Sequence, residues 1–333
     1  MAYTMMRNLF YGFLISLFII LLSFTYLGYK YFPKDLLSTL KLLDKKYLSL
    51  TLLFLFLFHT FDTLRVIVLA RALGVVYPLW YGYLVSLTNT FGATVTPAHL
   101  GGEFLPLYTL ARKGGQFYQI MTIVTMKGFS GFFFYLLFFP LTLKALLKDP
   151  KQTKEFLFIV GVLLIISLLA YTAFKLLFRG KERGKHLDFM TKLRRTFLRY
   201  VVTCKIFFRT KKKTFLLALG LSVLLYFSFL LMGVFLTKAF NRGADIKEVF
   251  IDQLPLLYAI FISPTPGGSG VGELGALPIF SPHLKEEYLG LFVMLWRVLS
   301  QYLSALLGGL IFVSFLLKDL KKLKEKNESP LSS

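Results

Sequence analysis

Six stretches of the chain, residues 9–29, 47–74, 117–143, 155–178, 214–240 and 288–317, are apolar over lengths sufficient to cross a bilayer. Lipid cannot satisfy free backbone N–H and C=O groups, so such runs must be helices or strands of a closed barrel. Their uninterrupted hydrophobicity, without alternation, selects helices. The chain therefore reads as an all-α polytopic membrane protein with one transmembrane domain over residues 1–317 and a basic, flexible tail over 318–333. Residues 9–29 follow a single basic residue, Arg7, and lack a small-residue cleavage pattern. That favours a retained helix over a secretory signal.

Two further apolar regions, 79–112 and 247–281, are each interrupted by a Pro/Gly cluster. The clusters resemble one another: Thr96-Pro97-Ala98-His99-Leu100-Gly101-Gly102-Glu103 and Thr265-Pro266-Gly267-Gly268-Ser269-Gly270-Val271-Gly272-Glu273. Each precedes a long apolar segment carrying one deep cation, and the spacing repeats: Lys127 lies 24 residues after Glu103, and Arg297 lies 24 after Glu273. Lys127 is ten residues into its span, about 15 Å at the helical rise, and Arg297 nine residues, roughly 14 Å. Both depths fall near the middle of a hydrocarbon core about 30 Å thick. These patterns predict two re-entrant broken-helix hairpins, in repeats of about 79–143 and 247–317.

Charge sets the expected orientation. The net charge is +22, from 39 Lys and Arg against 17 Asp and Glu. The loop 179–213 holds thirteen Lys and Arg against Glu182 and Asp188, which places it in the cytoplasm, together with the tail. Counting spans from that loop puts both termini in the cytoplasm and gives the two hairpins opposite orientations, the plan of an inverted repeat. A soluble protein this basic would suggest nucleic acid. Here the charge lies between spans, no nucleic-acid module is visible, and anionic phospholipids are the expected partners.

The ionisable residues inside the spans are the candidate site, because charge in hydrocarbon is costly and usually marks a polar pathway. The expected substrate-binding set is Pro97, Gly101, Gly102, Glu103, Lys127, Pro266, Gly267, Gly268, Glu273 and Arg297. The glycine N–H groups and the two cations would meet an anionic head group. The competing account is a pair of ion bridges that lock hairpin to helix. Asp62 and Arg65, with His59, share one face of span 47–74, readable as a shielded ion pair or as a charge relay. Asn89, Thr94 and Thr96 lead into the first break and either bind substrate or satisfy carbonyls there. Residues 187–208 mix Leu187, Met190, Leu193, Phe197 and Val201 with Lys192, Arg194, Arg195 and Arg199. They fit a helix on an anionic leaflet, or a connector with a solvated basic face. The lone Cys204 and four scattered histidines offer no metal cluster, and no catalytic constellation or cofactor motif is seen.

The run from Pro264 to Glu273 resembles the P-x-P-G-G-x-G-x-x-E signature of the lysylphosphatidylglycerol synthase transmembrane-region family, also called flippase-like integral membrane proteins. Pro97, Gly101, Gly102, Glu103, Arg112 and Gly114 resemble its first signature, and the likeness spans roughly residues 10 to 317. Met126-Lys127-Gly128-Phe129-Ser130 departs from that family's usual arginine flanked by acids. The resemblance implies an inner-membrane, dimeric lipid flippase that moves a polar-headed phospholipid or polyprenyl-linked lipid. No soluble aminoacyltransferase domain is seen fused in this sequence, so synthase activity is not inferred from the family name. The alternatives are an intramembrane lipid-modifying enzyme and a scaffold for a separate lipid synthase or glycosyltransferase.

Overall fold

The computed structural model describes residues 2–31, 33, 35–96, 99–148, 153–154, 157–158, 160–162, 165, 172 and 187–328. Every regular element among them is helical. In chain order they are α1 (Ala2–Tyr31), α2 (Leu36–Leu42), α3 (Lys45–Ala72), α4 (Leu79–Val95), α5 (Leu100–Ala111), α6 (Phe117–Lys148) and α7 (Leu187–Thr210). They continue with α8 (Lys212–Phe240), α9 (Ile246–Asp252), α10 (Leu254–Ile262), α11 (Val271–Phe280), α12 (Glu286–Arg297) and α13 (Leu303–Glu328).

Among the described residues, four helices are long and apolar enough to cross a membrane: Lys45–Ala72, Phe117–Lys148, Lys212–Phe240 and Glu286–Lys322. They coincide with four of the six expected spans. The first expected span falls within α1, where Leu17–Tyr31 forms a shorter apolar helix. Most of the expected span 155–178 lies outside the described residues. The exposed Leu, Phe and Val side chains on these helices, such as Phe56, Phe132, Leu136, Leu216 and Leu310, suit a lipid environment.

Asp residues start three of the elements, with Asp245 accepting the Glu248 N–H at 2.9 Å at the start of α9. Asp35 accepts from the Ser38 N–H at 3.1 Å, and Asp44 accepts from the Lys46 N–H at 2.9 Å, satisfying otherwise orphan donors at the starts of α2 and α3. The last span is not one regular helix. Residues Val298–Tyr302 form a π turn between α12 and α13. The extra residue in that turn rotates the side chains beyond it, and such turns often mark functional sites. Helix α13 then continues past Leu317 to Glu328, so part of the basic tail is helical.

Both Pro/Gly clusters break helices as expected. The first separates α4 from α5. The second separates α10 from α11, with a 3-10 turn at Pro266–Gly268 between them. Helices α10 and α11, at 9 and 10 residues, are each about 14–15 Å long by the helical rise, half of a hydrocarbon core. Helices α4 and α5 lie backbone to backbone: a Cβ on Gly92 would sit 2.5 Å from the Gly101 carbonyl oxygen, and one on Gly101 would sit 2.3 Å from that of Gly92. Helix α3 packs most extensively against α8, while α13 packs on α4 and brings the last span over the first break.

Candidate functional site

At the second break the chain turns at buried residues, Pro266, Gly267 and Gly268, so its backbone groups need partners within the protein. Gly267, Gly268 and Gly270 have φ of +61°, +64° and +83°, a region costly for any side chain with a Cβ. The turn bonds itself: the Gly268 N–H donates to the Thr265 carbonyl at 3.2 Å, and Ser269 gives its N–H (3.0 Å) and hydroxyl (2.7 Å) to the Pro266 carbonyl. Glu273, in the first turn of α11, reaches back to accept the Gly270 N–H at 2.5 Å.

That carboxylate is fully buried, as is its partner. Arg297 Nε donates to Glu273 Oε1 at 3.0 Å, with side-chain exposures of 1% and 0%. Arg297 Nη2 also donates to the Gly267 carbonyl at 3.1 Å and to the Tyr302 hydroxyl at 3.3 Å, and Tyr302 in turn donates to Glu273. The guanidinium lies flat over Gly272, where a Cβ would come 2.5 Å from Arg297 Cζ. The π turn presents Tyr302 to this pair. Every contact ties α11, the break and the last span into one closed unit.

The first break is built differently. Thr96 ends α4 by donating its hydroxyl to the Gly92 carbonyl at 2.7 Å, and its oxygen accepts the Gly101 N–H at 2.6 Å. Thr94 donates to the Thr90 carbonyl at 2.8 Å. Both threonines thus satisfy backbone at a helix end. Pro97 lies outside the described residues. Lys127 Nζ pairs with Glu103 Oε1 at 3.1 Å and donates to the Gly102 carbonyl at 3.3 Å. Here the pair is open: the Glu103 side chain is 43% exposed and that of Lys127 is 12% exposed. The second carboxylate oxygen of Glu103 is buried and has no partner, as are both amide atoms of Asn89 one helix away.

The two breaks meet. A Cβ on Gly267 would lie 3.0 Å from Thr94 Cα, and Gln301 Nε2 donates to the Thr94 hydroxyl at 3.0 Å. His99, left-handed at φ 58° where α5 begins, is within electrostatic reach of Arg297. The Gly101 and Gly268 N–H groups, expected to face an anion, are used inside the protein in this structure.

Asp62 and Arg65 form another buried pair, at 2.6 Å, in a network that links five helices. Asp62 accepts the Ser86 hydroxyl from α4 at 2.7 Å, and Arg65 donates to Ser222 on α8 at 3.2 Å. Ser222 continues to Ser130 on α6 at 3.0 Å. His59 lies between Ser86 at 3.0 Å and Ser304 on α13 at 2.7 Å. Asp62 is also within electrostatic reach of Lys127, so this network borders the open pair. Beyond it, Arg112 at the end of α5 pairs with Asp319 on α13, donates to the Phe315 carbonyl at 3.0 Å, and stacks over the Phe315 ring at 4.5 Å.

The family model for the lysylphosphatidylglycerol synthase TM region matches residues 9–308. The chain belongs to that family. A curated relative, a UPF0104 membrane protein of Archaeoglobus fulgidus, is 22% identical over 266 residues, covering 74% of this chain and 80% of its own length. No solved structure matches the chain. Membership in this lysylphosphatidylglycerol synthase TM region family, with the apolar helices above, establishes a multi-pass membrane protein. Of the residues that complete the charged sites, Ser86, Ser222, Ser304, Gln301, Tyr302 and Asp319 were not singled out from the sequence. An amide such as Gln301 inside an apolar span is a visible signal, whereas a membrane serine or tyrosine is too common to be one.

Proposed function

We propose that this protein moves a polar-headed lipid, a phospholipid or a polyprenyl-linked lipid with an anionic or aminoacylated head, between the leaflets of the cell membrane. The observation that carries the reading is the meeting of two helix breaks, each with its own acid–base pair, inside a family named for a lipid synthase's membrane region. In this reading the hairpins are re-entrant and inverted, both termini are cytoplasmic, and the head group passes between the breaks.

The two pairs have different parts in the present state. Glu103–Lys127 is the accessible one: its partly exposed carboxylate and unpartnered oxygen can release Lys127 to a phosphate. Glu273–Arg297 is the latch, buried, with both carboxylate oxygens bonded inside the protein. Alternating access exchanges these states, freeing Arg297 and the Gly267–Gly268 backbone as the first break closes. Because a break in lipid needs internal bonds, release of a glycine N–H is coupled to arrival of the head group that replaces its partner.

The test is transport of labelled lipids by the reconstituted protein and by Glu103→Gln, Lys127→Ala, Glu273→Gln and Arg297→Ala. Loss of transport in folded variants is expected, and unchanged transport in all four would falsify the site. Product formed from lipid and a soluble donor would instead favour an enzyme. Co-purification of a synthase, without transport by the isolated chain, would favour a scaffold.

A further inference from the structure

Helix α7 is unlike the spans. It is 24 residues long yet is not among the long apolar helices, and it carries Lys192, Arg194, Arg195, Arg199, Lys205 and Arg209 against one acid, Asp188. Lys211, Lys212 and Lys213 follow directly and are exposed.

One stripe of α7 is fixed to the bundle. The Tyr200 and Thr125 hydroxyls are 2.8 Å apart, Cys204 Sγ approaches Thr122 Oγ1 at 3.7 Å, and Phe207 is buried. Positions 200, 204 and 207 recur at helical spacing, so they form one face against α6 and α8. The remaining surface is neither a normal solvent face nor a normal lipid face. Phe197, Leu198, Val201, Val202 and Ile206 are exposed, with Phe197 at 61% and Val202 and Ile206 at 53%. Arg199, Lys205 and Arg209 are exposed between them.

Water does not favour five large apolar side chains on one helix face. Hydrocarbon does not accept three exposed cations. The boundary between head groups and acyl chains accommodates both. Apolar side chains enter the acyl layer, while long basic stems carry their charges back to the phosphates. We propose that α7 lies in this boundary and binds anionic phospholipid head groups through Arg199, Lys205 and Arg209. The anchor fixes the depth and rotation of α6, the helix that bears Lys127, by way of Thr122 and Thr125. The lipid binding does not depend on the transport reading and is measured without transport.

Two measurements test it on the full chain in nanodiscs. A nitroxide is placed at Val202→Cys in a Cys204→Ser background. Collisions with oxygen are expected to dominate over those with a water-soluble nickel chelate. Dominance of the chelate would overturn the placement and mark the face as one for a soluble partner. Second, binding of a fluorescent phosphatidylglycerol is compared for the parent chain, Arg199→Gln/Lys205→Gln/Arg209→Gln, and a control, Lys45→Gln/Lys247→Gln/Lys285→Gln. A loss of at least about tenfold is expected in the first set alone, from the attraction of each cation to an anionic surface. Equal binding in all three, or equal loss in both variants, would refute anionic-lipid recognition by α7.

Discussion

Replacing Arg297 by Met keeps most of the side-chain stem and removes every donor. The structure shows what is lost: bonds to Glu273 at 3.0 Å, to the Gly267 carbonyl at 3.1 Å and to the Tyr302 hydroxyl at 3.3 Å. Glu273, at 0% exposure, then keeps the Gly270 N–H and Tyr302 but no counter-charge. Breaking a buried ion pair from one side costs about 3–5 kcal/mol. An orphaned buried carbonyl costs ~1–3 kcal/mol more. The two share a site and do not simply add, so a loss of at least about 3 kcal/mol is expected. Reversible unfolding in mixed detergent–SDS micelles, followed by helicity, measures it. In the double variant Glu273→Gln/Arg297→Met the cost should fall below the sum of the singles by about 0.5–3 kcal/mol. Lys127→Met is the contrast, since the Glu103 side chain is 43% exposed: a smaller loss than that of Arg297→Met is expected there. The reasoning fails if Arg297→Met unfolds within about 1 kcal/mol of the parent, the scale of an exposed pair.

Three further outcomes follow from close contacts. Gly272→Ala places a methyl 2.5 Å from Arg297 Cζ, so the guanidinium must leave the carboxylate. A loss of about 1–3 kcal/mol is expected in the same unfolding assay. Gly92→Ala should push α5 off α4, because its Cβ meets the Gly101 carbonyl at 2.5 Å, whereas Gly128→Ala, with open space around it, should leave stability nearly unchanged. The same unfolding assay would separate the two. Ser86→Ala removes the hydroxyl that Asp62 accepts and that joins it to His59. About 1–3 kcal/mol should be lost, and hydrogen exchange at α3 should quicken. An unchanged exchange rate would mean that the network does not hold α3 in place.

Much of the framework was legible because hydrocarbon is a demanding solvent. Apolar length alone located Lys45–Ala72, Phe117–Lys148 and Lys212–Phe240 within a few residues. Pro and Gly inside apolar runs located both breaks, since lipid-facing backbone cannot be irregular without a local reason. The repeated spacing also matched the right partners, Glu103 with Lys127 and Glu273 with Arg297. The π turn was not legible, because nothing in Val298-Leu299-Ser300-Gln301-Tyr302 departs from an ordinary helical sequence. It carries Tyr302 to Glu273 and Gln301 to Thr94.

The sequence by itself determined that the chain has long apolar helices, that the apolar segments carry charge and that two of them are interrupted, because composition and spacing alone show those features. Which pair is sealed and which is open was decided only by the tertiary structure. Two identical acid–cation spacings end at 0% and 43% side-chain exposure of the acid because one is covered by the last span's π turn and the other is only partly covered beside α6. Burial depends on what packs over a group, and those neighbours lie far away in the chain.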